Sequence, residues 1–287
     1  MTDASTRPPM VELGTELVIE PETLNNLQAT NAALIVDVST HKQYLQTHIP
    51  GAVFVDYAHI VGMNPPYTGL LPKPGAFSQL INSLGITPDT QIVAYDEEGG
   101  GKAARLIWTL HAMGHSKARL LNGGIIAWYR EKYPLSNEPA STQPNPSDQQ
   151  YSVDFGLQPV VADTEYIKAN LQNKQVGLLD ARSIEEYTGA TRYAERAGRI
   201  PGAQHFEWTR AMDSEANYRL LPRQALQAML DEQGLTQDKE IIVYCQSHHR
   251  SALSYLMLKY LGYEHVRGYP GSWSEWGNRS DTPVEKS

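Results

Sequence analysis

The chain has 287 residues, 41% of them hydrophobic, and a net charge of −8 at neutral pH; its mean hydropathy is −0.43. That length is comfortable for two cores of ordinary size, no apolar run approaches the roughly 20 residues that cross a bilayer, and the acidic balance argues against nucleic acid or acidic membranes as partners. Met1 to Pro9 offers no apolar signal core, and a single cysteine permits no internal disulfide, so a reducing, cytoplasmic setting is expected.

In chain order, Leu34-Ile35-Val36-Asp37-Val38 predicts a covered strand, and His48-Ile49-Pro50-Gly51-Ala52 a turn. A helix is expected from about Phe77 to Leu84, a strand at Ile92–Tyr95, and a helix from about Lys102 to Met113. Pro134 to Pro159 is rich in Pro, Ser, Gln and Asn without periodicity, which reads as a linker packed along the surface. The pattern then repeats about 150 residues on. Gly177-Leu178-Leu179-Asp180-Ala181 answers the first strand, Arg199-Ile200-Pro201-Gly202-Ala203 the turn, Ile241-Ile242-Val243-Tyr244 the second strand, and Gly271 to Trp276 answers Gly123 to Trp128. A repeat this long is a duplicated domain. The expected division is residues 11–135, a linker over 136–158, and residues 159–287. Strands alternating with helices predict an α/β fold: two tandem domains, each a mainly parallel sheet with helices on both faces. Ligands in such sheets collect at the carboxyl ends of the strands.

Cys245 stands at one such end, in Val243-Tyr244-Cys245-Gln246-Ser247-His248-His249-Arg250-Ser251. Behind it a helix is expected, with Leu253, Leu256, Met257, Tyr260 and Leu261 on one face. Turn amides, the helix dipole and the basic residues favour a thiolate there. A lone cysteine is more often a small buried hydrophobe, but Gln-Ser-His-His-Arg is a poor continuation for a core position. The first copy has Asp96 in that place, followed by Glu97-Glu98-Gly99-Gly100-Gly101, and an acidic loop repels anions. The first half therefore reads as catalytically silent. The second half has eight extra residues, because Tyr187 and Arg199 are twelve apart where Tyr44 and His48 are four apart. This insertion carries Arg192 and Arg196, candidates to touch substrate, although exposed charged loops are usually only solvated. Trp108, Trp128, Trp273 and Trp276 are expected in the core; Trp208 is a possible pocket wall.

Tyr44-Leu45-Gln46-Thr47-His48-Ile49-Pro50-Gly51-Ala52 and Val266-Arg267-Gly268-Tyr269-Pro270-Gly271-Ser272-Trp273-Ser274-Glu275-Trp276 resemble the two signatures of the two-domain rhodaneses, the thiosulfate and 3-mercaptopyruvate sulfurtransferases. Cys245 stands where that family carries its persulfide cysteine. The loop is closest to the bacterial rhodaneses with Cys-Gln-Thr-His-His-Arg. It departs from the animal Cys-Arg-Lys-Gly-Val-Thr loop in lacking a lysine two residues after the cysteine, so its anion-binding role is expected to pass to Arg250, with His249 second. The resemblance implies a silent first copy and a catalytic second copy. It also implies a substrate-binding Arg182, thiosulfate as sulfur donor, and cyanide or a low-molecular-weight or protein thiol as acceptor, with no cofactor. Gln246, Ser247, His248, His249 and Arg250 would form the ring around the sulfur, the N–H groups of 246 to 250 cradling charge. A monomer is expected, because the paired domains already bury the face a homodimer would use.

Three rivals remain open at this stage. Cys245, His248 and His249 fall short of the four ligands of a structural zinc, so no metal is expected. A phosphatase-like enzyme would have five residues between Cys and Arg, where this loop has four. A non-catalytic sulfur carrier differs from an enzyme by turnover alone. The 3-mercaptopyruvate reading is the alternative donor, and Ser247 is its one point of resemblance.

Overall fold

The computed structural model describes residues 16–28, 30, 32–138, 140, 151–156 and 158–286. The expected start of the first domain at residue 11 and much of the linker lie outside them. The first domain is built on a five-stranded parallel sheet in the order Val18–Ile19, Ala118–Leu121, Ile92–Tyr95, Leu34–Asp37, Val53–Phe54. The second repeats it as Val266–Gly268, Glu240–Tyr244, Val176–Asp180, Gln204–His205, with Val161 bridging Gly268 in parallel where the fifth strand would stand. The central strands are continuous apolar runs because both faces are covered by helices. Ile92 to Tyr95 and Ile241 to Tyr244 are fully buried. The linker expectation gains content after residue 150: Tyr151, Val153 and Phe155 pack against the core, and the Tyr151 carbonyl accepts from Ser78 Oγ at 2.9 Å.

Helices form at Pro74–Ser83, Gly101–Ala112, Arg223–Asp231 and Arg250–Leu261. The last departs from the expected single apolar stripe. Every residue from Ser251 to Leu258 is buried, because this helix lies between its own sheet and Gly101–Ala112 of the other domain. That partner is buried nearly all round as well. A helix apolar on all sides belongs inside a molecule, so one cluster of buried side chains runs through both domains. The four tryptophans expected in the core are there, each 0–1% exposed.

Two antiparallel hairpins tie the domains together reciprocally. Gly62–Asn64 with Tyr67–Leu70 reaches from the first domain to the second: the Thr68 N–H donates to Ser274 Oγ at 2.8 Å, and Ser274 donates back to the Thr68 carbonyl at 3.0 Å. Met212–Asp213 with Arg219–Leu220 reaches the other way, the Leu220 N–H donating to Asn122 Oδ1 at 2.9 Å.

Candidate active site

The strand Glu240–Tyr244 delivers Cys245 to the carboxyl edge of the second sheet, one step beyond the pairing of Tyr244 with Asp180. Cys245 is 1% exposed, deeper than a loop nucleophile suggests. Gln246, Ser247, His249 and Arg250 after it are only partly buried, and His248, which is wholly buried, is bonded to Ser251 and Ser272. Ser272, from the second signature, is the post around which the loop bends. Its Oγ accepts the N–H of Cys245 at 3.2 Å and of His248 at 3.0 Å, and donates to the Tyr269 carbonyl at 2.7 Å. The ring of N–H donors expected from 246 to 250 therefore lacks one member, since His248 spends its N–H on Ser272.

Burial opposes a charged Cys245. Arg250, the Ser251 hydroxyl and the N–H groups of Ser251 and Ser247 outweigh it, so the thiol is held below its ordinary value and the thiolate is favoured. Arg250 stands on the first turn of the helix and is clamped by Glu186, Nη1 to Oε2 at 2.6 Å and Nη2 to Oε1 at 2.9 Å. Burial would raise the Glu186 carboxyl, but Arg250 and the Ser183 N–H hold it below its usual range. Glu186 also closes a capping box with Ser183 on the helix Ile184–Thr188. The pair orients one face of the guanidinium and leaves it a cation beside the sulfur.

The remaining expected residues divide. Gln246 donates through Nε2 to the Tyr193 carbonyl at 3.1 Å, so the insertion does reach the loop. It does so through backbone, not through its arginines. Arg196 is spent on the carbonyls of Trp276 and Thr282, both at 2.6 Å, and Arg192 bonds the Glu195 carbonyl at 3.2 Å. Ser247 turns its carbonyl toward the first domain. His248 is wholly buried, with φ +52°, Nδ1 2.8 Å from Ser251 Oγ and its ring edge-on to Trp108 of the first domain. Burial and the nearby Arg105 keep it neutral, a support for the loop rather than a surface for substrate. His249 is at the mouth, tilted between Tyr57 and Trp208 at ring distances of 5.4 and 6.1 Å. Trp208 thus lies beside the site, as a pocket wall would.

Arg182, expected to bind substrate, is tied into the scaffold. It is 1% exposed. Nε and Nη2 grip Asp180 at 2.9 and 2.6 Å, Nη2 also donates to the Gly198 carbonyl at 2.8 Å, and the guanidinium lies 4.5 Å from the Trp273 ring centre. Nε and Nη2 thus serve the scaffold below the loop. Extended backbone points residues i and i+2 the same way, so Asp180-Ala181-Arg182 carried a readable sign of this pairing.

The first half is not silent in space. Arg105, fully buried on the helix Gly101–Ala112, donates to the carbonyls of Ser247 (3.4 Å), His248 (3.3 Å) and Leu70 (2.8 Å); burial brings it down to about 10. Glu98 hydrogen-bonds His249. Tyr57 faces the same loop, its phenol pushed up to about 12 by burial. Gly69 of the hairpin, at φ +75°, sits where a Cβ would lie 2.1 Å from the Ser247 carbonyl oxygen. No local pattern announces Arg105, Glu98 or Tyr57 at the site, because their partners on the active loop are 142 or more residues away.

A model of the rhodanese-like domain matches residues 20–131 and again 163–279. The chain is 42% identical to the thiosulfate sulfurtransferase of Azotobacter vinelandii, over 94% of this chain and 97% of that protein. It is 41% identical, with the same coverage, to the thiosulfate sulfurtransferase of Pseudomonas aeruginosa. It is also 33% identical to the 3-mercaptopyruvate sulfurtransferase of Escherichia coli, over 87% of each chain. With one rhodanese-like domain matched in each half and both sheets built to the same plan, the chain belongs to the rhodanese-like family.

Proposed function

We propose that the chain is a thiosulfate sulfurtransferase working through a persulfide on Cys245. One observation carries the reading: a thiolate-favouring cysteine at the carboxyl end of a buried strand, with Arg250 held beside it by Glu186. The Cys245 thiolate attacks the outer sulfur of thiosulfate, the S–S bond breaks, and sulfite leaves with the electron pair. The enzyme keeps a persulfide anion. Cyanide or a thiolate then attacks the outer persulfide sulfur and releases the Cys245 thiolate. Two anions must meet in the first step. Arg250, His249 when protonated, and the free N–H groups of the loop offset that repulsion. Arg105 and Ser272 hold the loop in the shape that aims those groups. Arg182 supports the strand end from below.

The tight ring, four residues between Cys245 and Arg250, suits a sulfur donor better than a larger phosphate ester. The E. coli relative and Ser247 keep 3-mercaptopyruvate as the second reading. A monomer in a reducing compartment fits an exchangeable thiol whose domain face is already covered by the partner helix. The test is mass spectrometry of protein treated with thiosulfate, then with cyanide. One added sulfur on Cys245, discharged as thiocyanate over many cycles, is the expected result. A single discharge without turnover would make the chain a carrier, and no added sulfur would refute the reading.

A further inference from the structure

The acidic loop of the first domain, Glu97-Glu98-Gly99-Gly100-Gly101, lies against the basic loop of the second. Glu98 Oε1 bonds His249 Nε2 across 151 residues of sequence, and each side chain is 28% exposed. The space between them is reserved. A Cβ at Gly101 would lie 2.6 Å from Glu98 Oε1 and 2.8 Å from His249 Nε2, so a side chain there would part the pair. The arrangement repeats that of Arg250, which has Glu186 behind it. Each of these two basic side chains thus has a carboxylate for a partner.

The groups around the imidazole agree. Burial opposes its charge, while Glu98, Cys245 and Asp96 favour it, and together they raise it above the ordinary histidine value. Tyr57 faces it as a neutral phenol, His248 is neutral, and Lys102 stands 3.8 Å from Glu98 on the far side.

We propose that Glu98 is a positioning residue that sets the donor preference of the Cys245 site, holding His249 as the second cation a dianionic donor requires. This rests on the reading of Cys245 as the sulfur acceptor. A dianion such as thiosulfate gains from two cations where a monoanion such as 3-mercaptopyruvate is served by one. The half of the chain without a nucleophile would then contribute to specificity.

The experiment measures the rate of Cys245 persulfide formation by rapid quench and mass spectrometry, so that acceptor ionisation does not enter. Both donors are compared from about pH 6 to pH 9 in the native protein, Glu98→Gln, Glu98→Asp, His249→Asn and the Glu98→Gln/His249→Asn double variant. An imidazolium held by Glu98 persists to higher pH than one without it. Glu98→Gln should therefore move the basic limb of the thiosulfate profile to lower pH. The loss should be about tenfold on that limb, the order expected for one charge-assisted hydrogen bond, and smaller at acidic pH, where the imidazole is protonated in both proteins. Mercaptopyruvate should lose less, so the donor ratio falls. On the basic limb His249→Asn should give the same loss and the double variant no more; at acidic pH His249→Asn should keep its loss while Glu98→Gln recovers, and Glu98→Asp should keep most of the native profile. An unchanged profile and donor ratio in Glu98→Gln, or faster thiosulfate loading, would overturn the proposal. If Glu98→Gln does not fold, a native ratio in His249→Asn overturns it equally. Absence of persulfide in the native protein with either donor would instead refute the sulfurtransferase reading, and the proposal with it.

Discussion

Ser272 gives the sharpest test of how the loop is built. Its hydroxyl accepts two buried N–H groups and donates to a buried carbonyl, from a backbone at φ +49°. In Ser272→Ala the donors of Cys245 and His248 lose their acceptor where no water replaces it. An unpaired buried donor costs about 1–3 kcal/mol. Two of them, with some relaxation of the loop, should cost about 3 kcal/mol, roughly 150-fold in the folding equilibrium. Ser272→Gly separates hydroxyl from backbone. It loses the same acceptor but relieves the left-handed conformation, worth about 1–2 kcal/mol, against about 0.4–1 kcal/mol of extra chain entropy. It should therefore be about as stable as the alanine variant or slightly more so. Urea unfolding measures both, with the slope checked for constancy, and persulfide formation from thiosulfate should slow in both at concentrations of urea where they remain folded. A Ser272→Ala protein within about 0.5 kcal/mol of native, loading sulfur at the native rate, would refute the view that this hydroxyl shapes the site.

Cys245→Ser should fold normally and lose sulfur transfer; turnover above a few per cent of native would exclude the persulfide route. Arg250→Ala and Arg182→Ala should fail differently. The first should cut kcat/KM for thiosulfate by the equivalent of about 2–5 kcal/mol, as when one partner of a buried charge pair is removed. The second strands Asp180, whose side chain is fully buried, and should lower stability by about 3–5 kcal/mol. Equal stability of the two variants in urea would contradict this division. Gly69→Ala should lower both stability and sulfur loading, since its methyl group meets the Ser247 carbonyl; native behaviour in both would mean that the hairpin is not pressed on the loop. With cyanide as common acceptor, kcat/KM should favour thiosulfate over 3-mercaptopyruvate, and a clear reversal would change the donor while leaving the reaction class.

What could be read in the chain follows the range of the interactions. Cys245 was legible because strand, turn and helix signals are local, and Arg250 because loop spacing is local. Glu186 was half legible: Ser183 three residues before it marks a helix cap, but nothing nearby marks its ion pair with an arginine 64 residues on. Arg182 was read for substrate alone, although the aspartate two residues before it is its bound partner. The single apolar stripe expected on the helix behind Cys245 failed because the pairing of Gly101–Ala112 with Arg250–Leu261 is a tertiary fact. Once those helices meet, Arg105 must lie under the loop, and no window of sequence contains both.

The two copies show how one backbone plan can be closed or left open. In the first, Asp96 stands in the place of Cys245, and its carboxylate accepts the N–H groups of Glu98 at 2.9 Å, Gly100 at 2.8 Å and Ala103 at 2.9 Å. Three amide donors at this turn are thus taken from within by the Asp96 carboxyl group. In the second, the residue at the same point is a thiol whose charged form is favoured by the N–H groups of Ser247 and Ser251, and His249 and Arg250 stand where the first copy has Gly100 and Gly101. A carboxylate that satisfies its own loop cannot accept a sulfur atom, and a loop already satisfied has no field left for a visiting anion. The first copy therefore differs in chemistry at this one residue while its sheet is built to the same plan. That shared plan is what sets its acidic loop over the mouth of the second, where Glu98 meets His249.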